Sequence, residues 1–237
     1  MKEKPTKAPT AKKPAPHYLG HRKRLRERFI RGGAEALQEY ELLELILFRA
    51  IPRRDVKALA KRLIAEFGDL SGVLGAPEQQ LRADPEISEH VCAELKLVEA
   101  AALHLGQSRI MHKPIIAAWS DVISYFRAKL AEKKVEEFHV LFLDKKNRII
   151  ADEVMGQGTV DHTPVYPREV MKRALELSAS AMVIVHNHPS GDPAPSRTDM
   201  EMTAQLKELA AEFNINLHDH LVIGRNDEVS FKDLGIL

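Results

Sequence analysis

Apolar residues in the first half of the chain recur at helical spacing. Leu59, Leu63 and Phe67, for example, fall four residues apart, and similar stripes precede and follow them. This period places apolar side chains on one face of a helix, and glycine or proline between stripes is typical of helix ends. The pattern predicts an all-α N-terminal domain over residues 17–106. Its interruptions are at Gly32-Gly33, Ile51-Pro52, Phe67-Gly68 and Gly75-Ala76-Pro77.

The pattern changes in the second half. Residues 107–118 lack a helical period and contain Pro114, which has no N–H for an interior helical position, so they are predicted to be a linker. A run over 136–143 is apolar on both faces, as expected for an interior strand. Alternating strands and helices predict an α/β (α+β) domain over 119–237. The predicted strands are 136–143, 148–154, 159–165, 181–186, 216–223 and 228–231, and the predicted helices are 119–132, 168–177 and 197–213.

The composition is that of a globular protein. Of 237 residues, 44% are apolar and 29% charged, which allows a core in each half. The single cysteine, Cys92, excludes an intramolecular disulfide framework and suits a reducing compartment. No apolar run approaches the roughly 18 residues of a membrane span, and no apolar stretch follows the basic N-terminus to make a signal peptide. We therefore expect a cytoplasmic protein without membrane contact.

The formal charge of +1 hides an asymmetry along the chain. Residues 1–28 hold ten basic and two acidic side chains, a net of +8, so the remainder sums to −7. Residues 1–16 have too few apolar side chains to bury and are expected to be a disordered tail. A basic end indicates an anionic partner such as nucleic acid. The alternative is a solvated helix face, since Leu25, Phe29 and Ile30 interleave with the arginines at helical spacing.

The strongest candidate for chemistry lies between a predicted strand and a predicted helix. His186 and His188 are two residues apart at the end of an apolar run, so both imidazoles point the same way. After a loop with three prolines, Ser196 is placed to cap the next helix, with Asp199 in its first turn. Two imidazoles and one carboxylate form the protein part of a tetrahedral zinc site that leaves one position to water.

Other interpretations of these residues are open. Ser196 and Asp199 have the spacing of a helix-capping box, which needs no metal. His-x-His pairs also occur on exposed strand ends, although the combination of both features favours a metal. The same ligand set holds iron in oxygenases, and zinc is the preferred interpretation.

The sequence around this candidate resembles a known family. His186-x-His188-Pro189 followed by Ser196-x-x-Asp199 is similar to the metal motif of the JAB/MPN (JAMM) metalloprotease superfamily. Nearly everything after the tail resembles the bacterial RadC (UPF0758) family. The segments that carry this resemblance are Leu19-Gly20-His21-Arg22, Ala50-Ile51-Pro52-Arg53-Arg54-Asp55-Val56, Gly158-Thr159-Val160, Pro167-Arg168-Glu169-Val170, His186-Asn187-His188-Pro189-Ser190-Gly191-Asp192-Pro193 and Asp219-His220-Leu221-Val222-Ile223-Gly224.

The resemblance implies a role for each residue of the motif. His186, His188 and Asp199 would hold Zn2+, with a water in the open position. Ser196 would help to stabilise the oxyanion. In JAMM enzymes a glutamate from an upstream strand is the general base, and by position this residue is Glu136.

Two further points stay open beside this assignment. Glu137 is the neighbouring alternative to Glu136 and points to the opposite face if the strand is regular, whereas residues 132–137 could also be a solvated charge run. His218 and His220 lie on a later predicted strand. They are interpreted as structural residues or as partners of the ligands rather than as extra ligands.

The resemblance leads to two expected functions. The first is a zinc metallohydrolase that cleaves a peptide or isopeptide bond in a peptide or protein substrate. The second is a DNA-associated accessory protein of repair or recombination with a structural or vestigial metal. RadC-like N-terminal regions resemble helix-hairpin-helix modules, yet the matching stretch here, Asp84-Pro85-Glu86-Ile87-Ser88-Glu89, has no glycine and three acids. Nonspecific nucleic-acid binding is therefore assigned to residues 1–28.

Overall fold

The computed structural model describes residues 20–158 and 165–237. The tail predicted at 1–16 and most of the strand predicted at 159–165 lie outside the described residues. None of the helices in these two ranges is long and apolar enough to cross a membrane.

The described N-terminal half is helical, as its apolar period predicts. One hydrophobic core joins the helices, and Leu43 and Leu63 are fully buried in it together with Cys92. The helices are α1 (His21–Gly32), α2 (Glu39–Ala50), α3 (Lys57–Phe67), α4 (Leu70–Gly75), α5 (Glu78–Leu81) and α6 (Glu89–Ile110), with a 3-10 turn at Ala34–Ala36.

Two arginines of α1, the partly buried Arg22 and the exposed Arg28, connect this helix to α2. Arg22 donates to the carbonyls of Phe48 and Ile51, and its guanidinium lies 4.3 Å from the centre of the Phe48 ring. Arg28 donates to both carboxylate oxygens of Glu41 at 2.9 Å. Bidentate contacts of this kind are the strong form of the arginine–carboxylate pair. Part of the basic charge in residues 1–28 therefore serves the fold.

The end of α6 differs from the sequence prediction. The helix continues to Ile110, past the end of the helical pattern predicted near Gly106, so residues 107–110 are helical. A Cβ on Gly106 would lie 3.1 Å from the Tyr125 ring, so the glycine allows α7 (Trp119–Leu130) to approach α6 closely. It serves helix packing rather than termination. The interval that remains is packed, since Ile115 and Ala118 are buried. The division of the chain into domains stays a prediction.

The C-terminal half contains a five-stranded mixed sheet. Its strands are β1 (Glu137–Leu143), β2 (Ile149–Gln157), β3 (Ala181–Asn187), β4 (Asn216–Ile223) and β5 (Glu228–Ser230), and its helices are α8 (Pro167–Glu176) and α9 (Arg197–Glu212). The spatial order is β2-β1-β3-β4-β5. Only β3 and β4 are parallel among these pairs. Every residue of β1 and β3 is buried, as apolar side chains on both faces predict.

Helices cover both faces of this sheet. Leu141 and Val183 share one core cluster with α7, whereas Val140 and Ile184 share the other with α8 and α9. Consecutive strand residues point to opposite faces, which accounts for this division. A helical N-terminal region followed by a mixed sheet with flanking helices confirms the predicted fold class.

Candidate metal centre

Donor atoms of three residues meet at the carboxyl end of β3. His186 lies within β3, and His188 just beyond it donates its backbone N–H to Ile223 O at 3.0 Å. Asp199 lies in the first turn of α9. His186 Nε2 is 3.0 Å from His188 Nε2 and 3.5 Å from Asp199 Oδ1, and His188 Nε2 is 3.4 Å from Asp199 Oδ2. The structure thus brings the three predicted ligand residues together.

The spacing of these atoms fits a tetrahedral ion. Ligand atoms about 2.0–2.1 Å from a zinc ion are separated from each other by about 3.3 Å. The imidazole nitrogens are 3.0 Å apart, and each lies close to that distance from one Asp199 oxygen, with 3.5 Å from His186 Nε2 to Oδ1 and 3.4 Å from His188 Nε2 to Oδ2. Nitrogen and carboxylate lone pairs that converge in a largely buried place are unfavourable unless a cation or a shared proton lies between them. The donor set therefore fits a divalent metal with one further position for water.

Two of the three candidate ligands, His186 and Asp199, are in the charge state that binds a metal, whereas the raised pKa of His188 means that a proton competes with a metal there. Burial lowers the pKa of His186 to about 4, so this imidazole is neutral. The hydrogen bond with Asp199 raises the pKa of His188, although burial alone would lower it. The charge of Glu136 also raises this pKa. Burial would raise the pKa of Asp199, but His188, His186 and Ser196 outweigh it and lower that pKa. The carboxylate is therefore ionised, the state in which it binds a metal.

Ser196 and Asp199 also form the capping box that their spacing predicts. Asp199 N–H donates to Ser196 Oγ at 3.1 Å, and Ser196 N–H donates to the Asp199 carboxylate at 2.7 Å. The two interpretations of Asp199 are compatible, because a carboxylate offers about four lone-pair sites. The cap uses Ser196 Oγ as an acceptor, so the hydroxyl proton can be donated elsewhere. Ser196 is exposed at the side of the cluster.

Glu137 is the first residue of β1 and Glu136 directly precedes it, so strand alternation predicts opposite faces for the two side chains. Phe138 pairs with His186, so alternation places Glu136 on the face of the metal-ligand candidates. Its contribution to the pKa of His188 agrees with this placement. Glu137 faces the other side, where it contacts His139 at 3.4 Å and Lys133 at 3.0 Å. The interpretation as a solvated charge run is wrong for Glu137, which is 7% exposed.

The buried amide of Asn187 connects these glutamates to the histidines. Its Oδ1 accepts from Glu137 N–H at 2.9 Å, and its Nδ2 donates to Val135 O at 3.2 Å. These two hydrogen bonds hold the backbone on both sides of Glu136. Asn187 lies between His186 and His188 in the chain, so it connects the backbone on both sides of Glu136 to the segment that carries the donor atoms.

Known proteins resemble both halves of this chain. Residues 116–236 match the RadC-like JAB domain, and residues 18–89 match the UPF0758 N-terminal family. A UPF0758 protein of Rhodobacter capsulatus is 55% identical over 213 residues, which cover 90% of this chain and 100% of the relative. The chain belongs to the RadC (UPF0758) family.

A second relative extends this RadC-family assignment over more of the chain. A UPF0758 protein of Ruegeria pomeroyi is 51% identical over 223 residues, which cover 94% of this chain and 100% of the relative. The resemblance inferred from the sequence motifs is thereby confirmed. A RadC-like JAB domain with a His-His-Asp cluster is compatible with a metal-dependent hydrolase.

The remaining histidines of this RadC-family sheet have different surroundings. His220 Nε2 lies 2.7 Å from His186 Nδ1, so it contacts a candidate ligand without joining the cluster. His218 Nε2 instead lies 2.8 Å from Asn147 Oδ1. Sequence reasoning missed Thr203, whose Oγ1 is 2.6 Å from His220 Nδ1. Its position four residues after Asp199 was the available signal, because helical threonines often bond the carbonyl four residues back.

A second polar group of the RadC-like domain, also missed from the sequence, lies on the α7 face of the sheet. Asp152 contacts His139 Nδ1 at 3.0 Å, Lys129 Nζ at 2.8 Å and Tyr125 OH at 2.8 Å. Burial alone would raise the pKa of Asp152, but His139 and Lys129 lower it to about 2. His139 also contacts Glu137, so this network anchors the beginning of β1 next to Glu136.

Proposed function

We propose that this RadC-family protein is a zinc-dependent hydrolase that cleaves peptide or isopeptide amide bonds. The observation that carries the proposal is the convergence of His186 Nε2 and His188 Nε2, 3.0 Å apart, on the Asp199 carboxylate, whose Oδ1 lies 3.5 Å from His186 Nε2 and whose Oδ2 lies 3.4 Å from His188 Nε2. Three protein ligands and an open fourth position are the arrangement of catalytic rather than structural zinc. Glu136 on the same face adds the carboxylate that such a site needs for proton transfer.

The metal would be held by the two imidazoles and the carboxylate of the cluster. A bound zinc ion lowers the pKa of a coordinated water to near 7 and polarises the carbonyl to be attacked. Iron also accepts two histidines and one carboxylate. Zinc is preferred because amide hydrolysis requires no redox change at the metal.

The chain's own residues would then move protons and stabilise charge. Glu136 accepts a proton from the attacking water at its carboxylate and delivers it to the amide nitrogen that departs. Ser196 donates its hydroxyl proton to the oxygen on which negative charge develops. The capping bond from Asp199 N–H holds Ser196 Oγ in place for this contact.

Metal analysis of the purified protein tests the ligand assignment. We expect about one zinc per chain in the parent and a strong reduction in His188→Ala. An unchanged metal content in His188→Ala would remove the site from consideration. Stoichiometric iron in place of zinc would overturn the choice of metal.

Substrate profiling of the zinc-loaded protein tests the reaction. An unbiased library of peptides and isopeptides is incubated with the parent, with Glu136→Gln and with Glu201→Gln. Glu201 is an exposed carboxylate of α9 that pairs with Arg197, so it serves as the matched control. We expect Glu136→Gln to retain zinc and to lose about 100-fold or more in rate. Hydrolysis by Glu136→Gln at the parental rate would show that another group is the base.

The alternative, a nucleic-acid-associated protein, is supported by the outer face of α1. Lys23 and Arg26 are exposed, and the first turn of α1 contains no acidic residue. The segment before α6, which matches the helix-hairpin-helix stretch, gives less support. Its carboxylates Asp84 and Glu86 each accept from Arg62 at 2.8 Å, so the positive charge of Arg62 is already paired there. Any phosphate contact is therefore proposed for α1 and the residues that precede it.

The test for this alternative changes charge without removing α1. Deletion of residues 1–28 would remove Leu25, which is 1% exposed, and disturb the helical core. We therefore compare binding of duplex DNA at several salt concentrations by the parent, by Lys23→Gln/Arg26→Gln and by a control, Lys172→Gln/Lys207→Gln. Loss of two phosphate contacts should lower the salt slope by about two for the α1 variant alone. Equal slopes for parent and α1 variant would exclude α1 as the contact surface.

A further inference from the structure

We infer that Thr203 and His220 are positioning residues that set the tautomer of His186 and so aim the Nε2 lone pair of that ring at the metal. The inference rests on the metal site of the proposed function, but not on hydrolysis. It follows from three consecutive contacts that begin at a backbone carbonyl of α9 and end at the donor cluster.

The first contact fixes the direction of the whole series. Thr203 Oγ1 lies 2.6 Å from Asp199 O and 2.6 Å from His220 Nδ1. A carbonyl oxygen can only accept, so the single hydroxyl proton of Thr203 is donated to Asp199 O. The hydroxyl oxygen must then accept from His220. This places a proton on Nδ1 of His220.

The second step transfers this constraint to the candidate ligand. His220 is buried at 1% exposure and lies between Phe138 and Phe231, whose ring centres are 5.9 and 4.5 Å from its own. A neutral imidazole with its proton on Nδ1 has a lone pair on Nε2. His220 Nε2 faces His186 Nδ1 at 2.7 Å, so His186 donates from Nδ1. Its Nε2 is left as the donor atom for a cation.

His188 is also held with its proton on Nδ1, but by a different contact. His188 Nδ1 lies 2.8 Å from Asp192 O, and a carbonyl can only accept. Both rings therefore present Nε2 towards the carboxylate of Asp199. The two routes differ in kind, because one is a local loop contact and the other connects α9, β4 and β3. Asp199 takes part at both ends of the longer route, through its carbonyl oxygen and through its carboxylate.

This arrangement explains why a buried histidine and threonine outside the cluster are placed next to it. Residues that orient a metal-bound imidazole typically change metal affinity by 10-fold to 100-fold when they are replaced. A purely structural role for Thr203 would change the stability of the metal-free protein without a specific effect on zinc.

The matched variants are Thr203→Val, which removes the hydroxyl with little change of shape, and Thr203→Ser, which retains it. Zinc affinity is measured by competition with a chelating dye, and thermal unfolding of the metal-free proteins checks the fold. We expect zinc to bind at least about 10-fold more weakly to Thr203→Val and within about threefold of the parent to Thr203→Ser. Parental zinc affinity in a folded Thr203→Val would overturn the inference.

Nitrogen NMR of the labelled parent tests the tautomers without any variant. In the metal-free protein the inference requires a proton on Nδ1 and a bare Nε2 in His220. In the zinc-loaded protein it also requires a proton on Nδ1 of His186. A proton on Nε2 of His220 would contradict the inference even if Thr203→Val did not fold. Because neither readout uses catalysis, failure of the proposed hydrolysis would remain distinguishable from failure of this inference.

Discussion

Asp199 and Ser196 hold each other in a reciprocal helix cap, with Asp199 N–H 3.1 Å from Ser196 Oγ and Ser196 N–H 2.7 Å from Asp199 Oδ2. The same carboxylate lies 3.4 to 3.5 Å from the two imidazoles. Helix capping and ligand placement thus depend on one side chain. Because the cap fixes Asp199 before any ion arrives, little further ordering is needed for binding.

Replacement of these two residues should separate capping from metal binding. Asp199→Asn keeps a side-chain oxygen for the cap but loses the negative charge of a direct ligand. We expect zinc affinity to fall at least about 100-fold, because replacement of a residue that only hydrogen-bonds to a ligand already lowers affinity by about 10-fold to 100-fold. Ser196→Ala removes the cap and should lower the free energy of unfolding by about 1 kcal/mol while all three donor residues remain. Similar zinc affinities for the two variants, measured by chelator competition, would contradict this separation.

Much of the candidate site could be predicted from local spacing. His186 and His188 share a face because strand residues two apart do so, and Ser196 and Asp199 are fixed by the geometry of a helix start. The strand predicted at 216–223 is observed with the same bounds as β4. In each of these cases the neighbours that decide the structure are close in sequence.

Contacts between distant segments could not be predicted in this way. His220 meets His186 only because β4 pairs in parallel with β3, and no spacing rule gives that pairing. The helical pattern was predicted to end near Gly106, whereas α6 continues past this glycine and packs closely against Tyr125 there. The face of the sheet towards which Glu137 points likewise depends on the register of β1 against β3.

Asn187→Ala should impair hydrolysis more than metal binding. The amide of Asn187 bonds to the backbone at Val135 and Glu137, so its loss should loosen the segment that contains Glu136, the proposed general base. We expect a rate loss of about 10-fold or more with zinc affinity close to that of the parent, because small misplacements of a reacting group are costly. Thr203→Val is the matched comparison and should show weaker zinc binding. If Asn187→Ala lost zinc but kept the parental rate per bound zinc, Asn187 would position the metal ligands and not Glu136.

The network around Asp152 predicts a specific loss of stability in acid. The pKa of Asp152 is about 2, below the ordinary value near 4, so its contribution is present above about pH 5 and disappears as pH falls towards 2. This difference between the two pKa values corresponds to a contribution of about 2 kcal/mol to the free energy of unfolding at neutral pH. Asp152→Asn should therefore destabilise the metal-free protein by about 3 kcal/mol at pH 7, because Lys129 also loses its partner. The loss should be smaller at pH 3, where Asp152 contributes less.

Urea unfolding of parent and variant at both pH values measures this difference. Glu176→Gln is the control, because Glu176 forms an exposed ion pair with Arg173 and should contribute little at either pH. A difference between parent and Asp152→Asn that is equal at pH 7 and pH 3 would rule out the ionised carboxylate as its source.

Gly224→Ala should weaken the metal site from outside it. A Cβ at Gly224 would lie 2.6 Å from Gly191 O and 2.8 Å from Pro193 Cδ, so the loop after β3 would have to move. Asp192 between them provides the carbonyl that accepts from His188 Nδ1. We expect overpacking to cost about 1–3 kcal/mol of stability and zinc affinity to fall about 10-fold. Ala194→Ser, an exposed change in the same loop, should leave both quantities near the parental values, and equal zinc binding by the two variants would show that the loop does not orient His188.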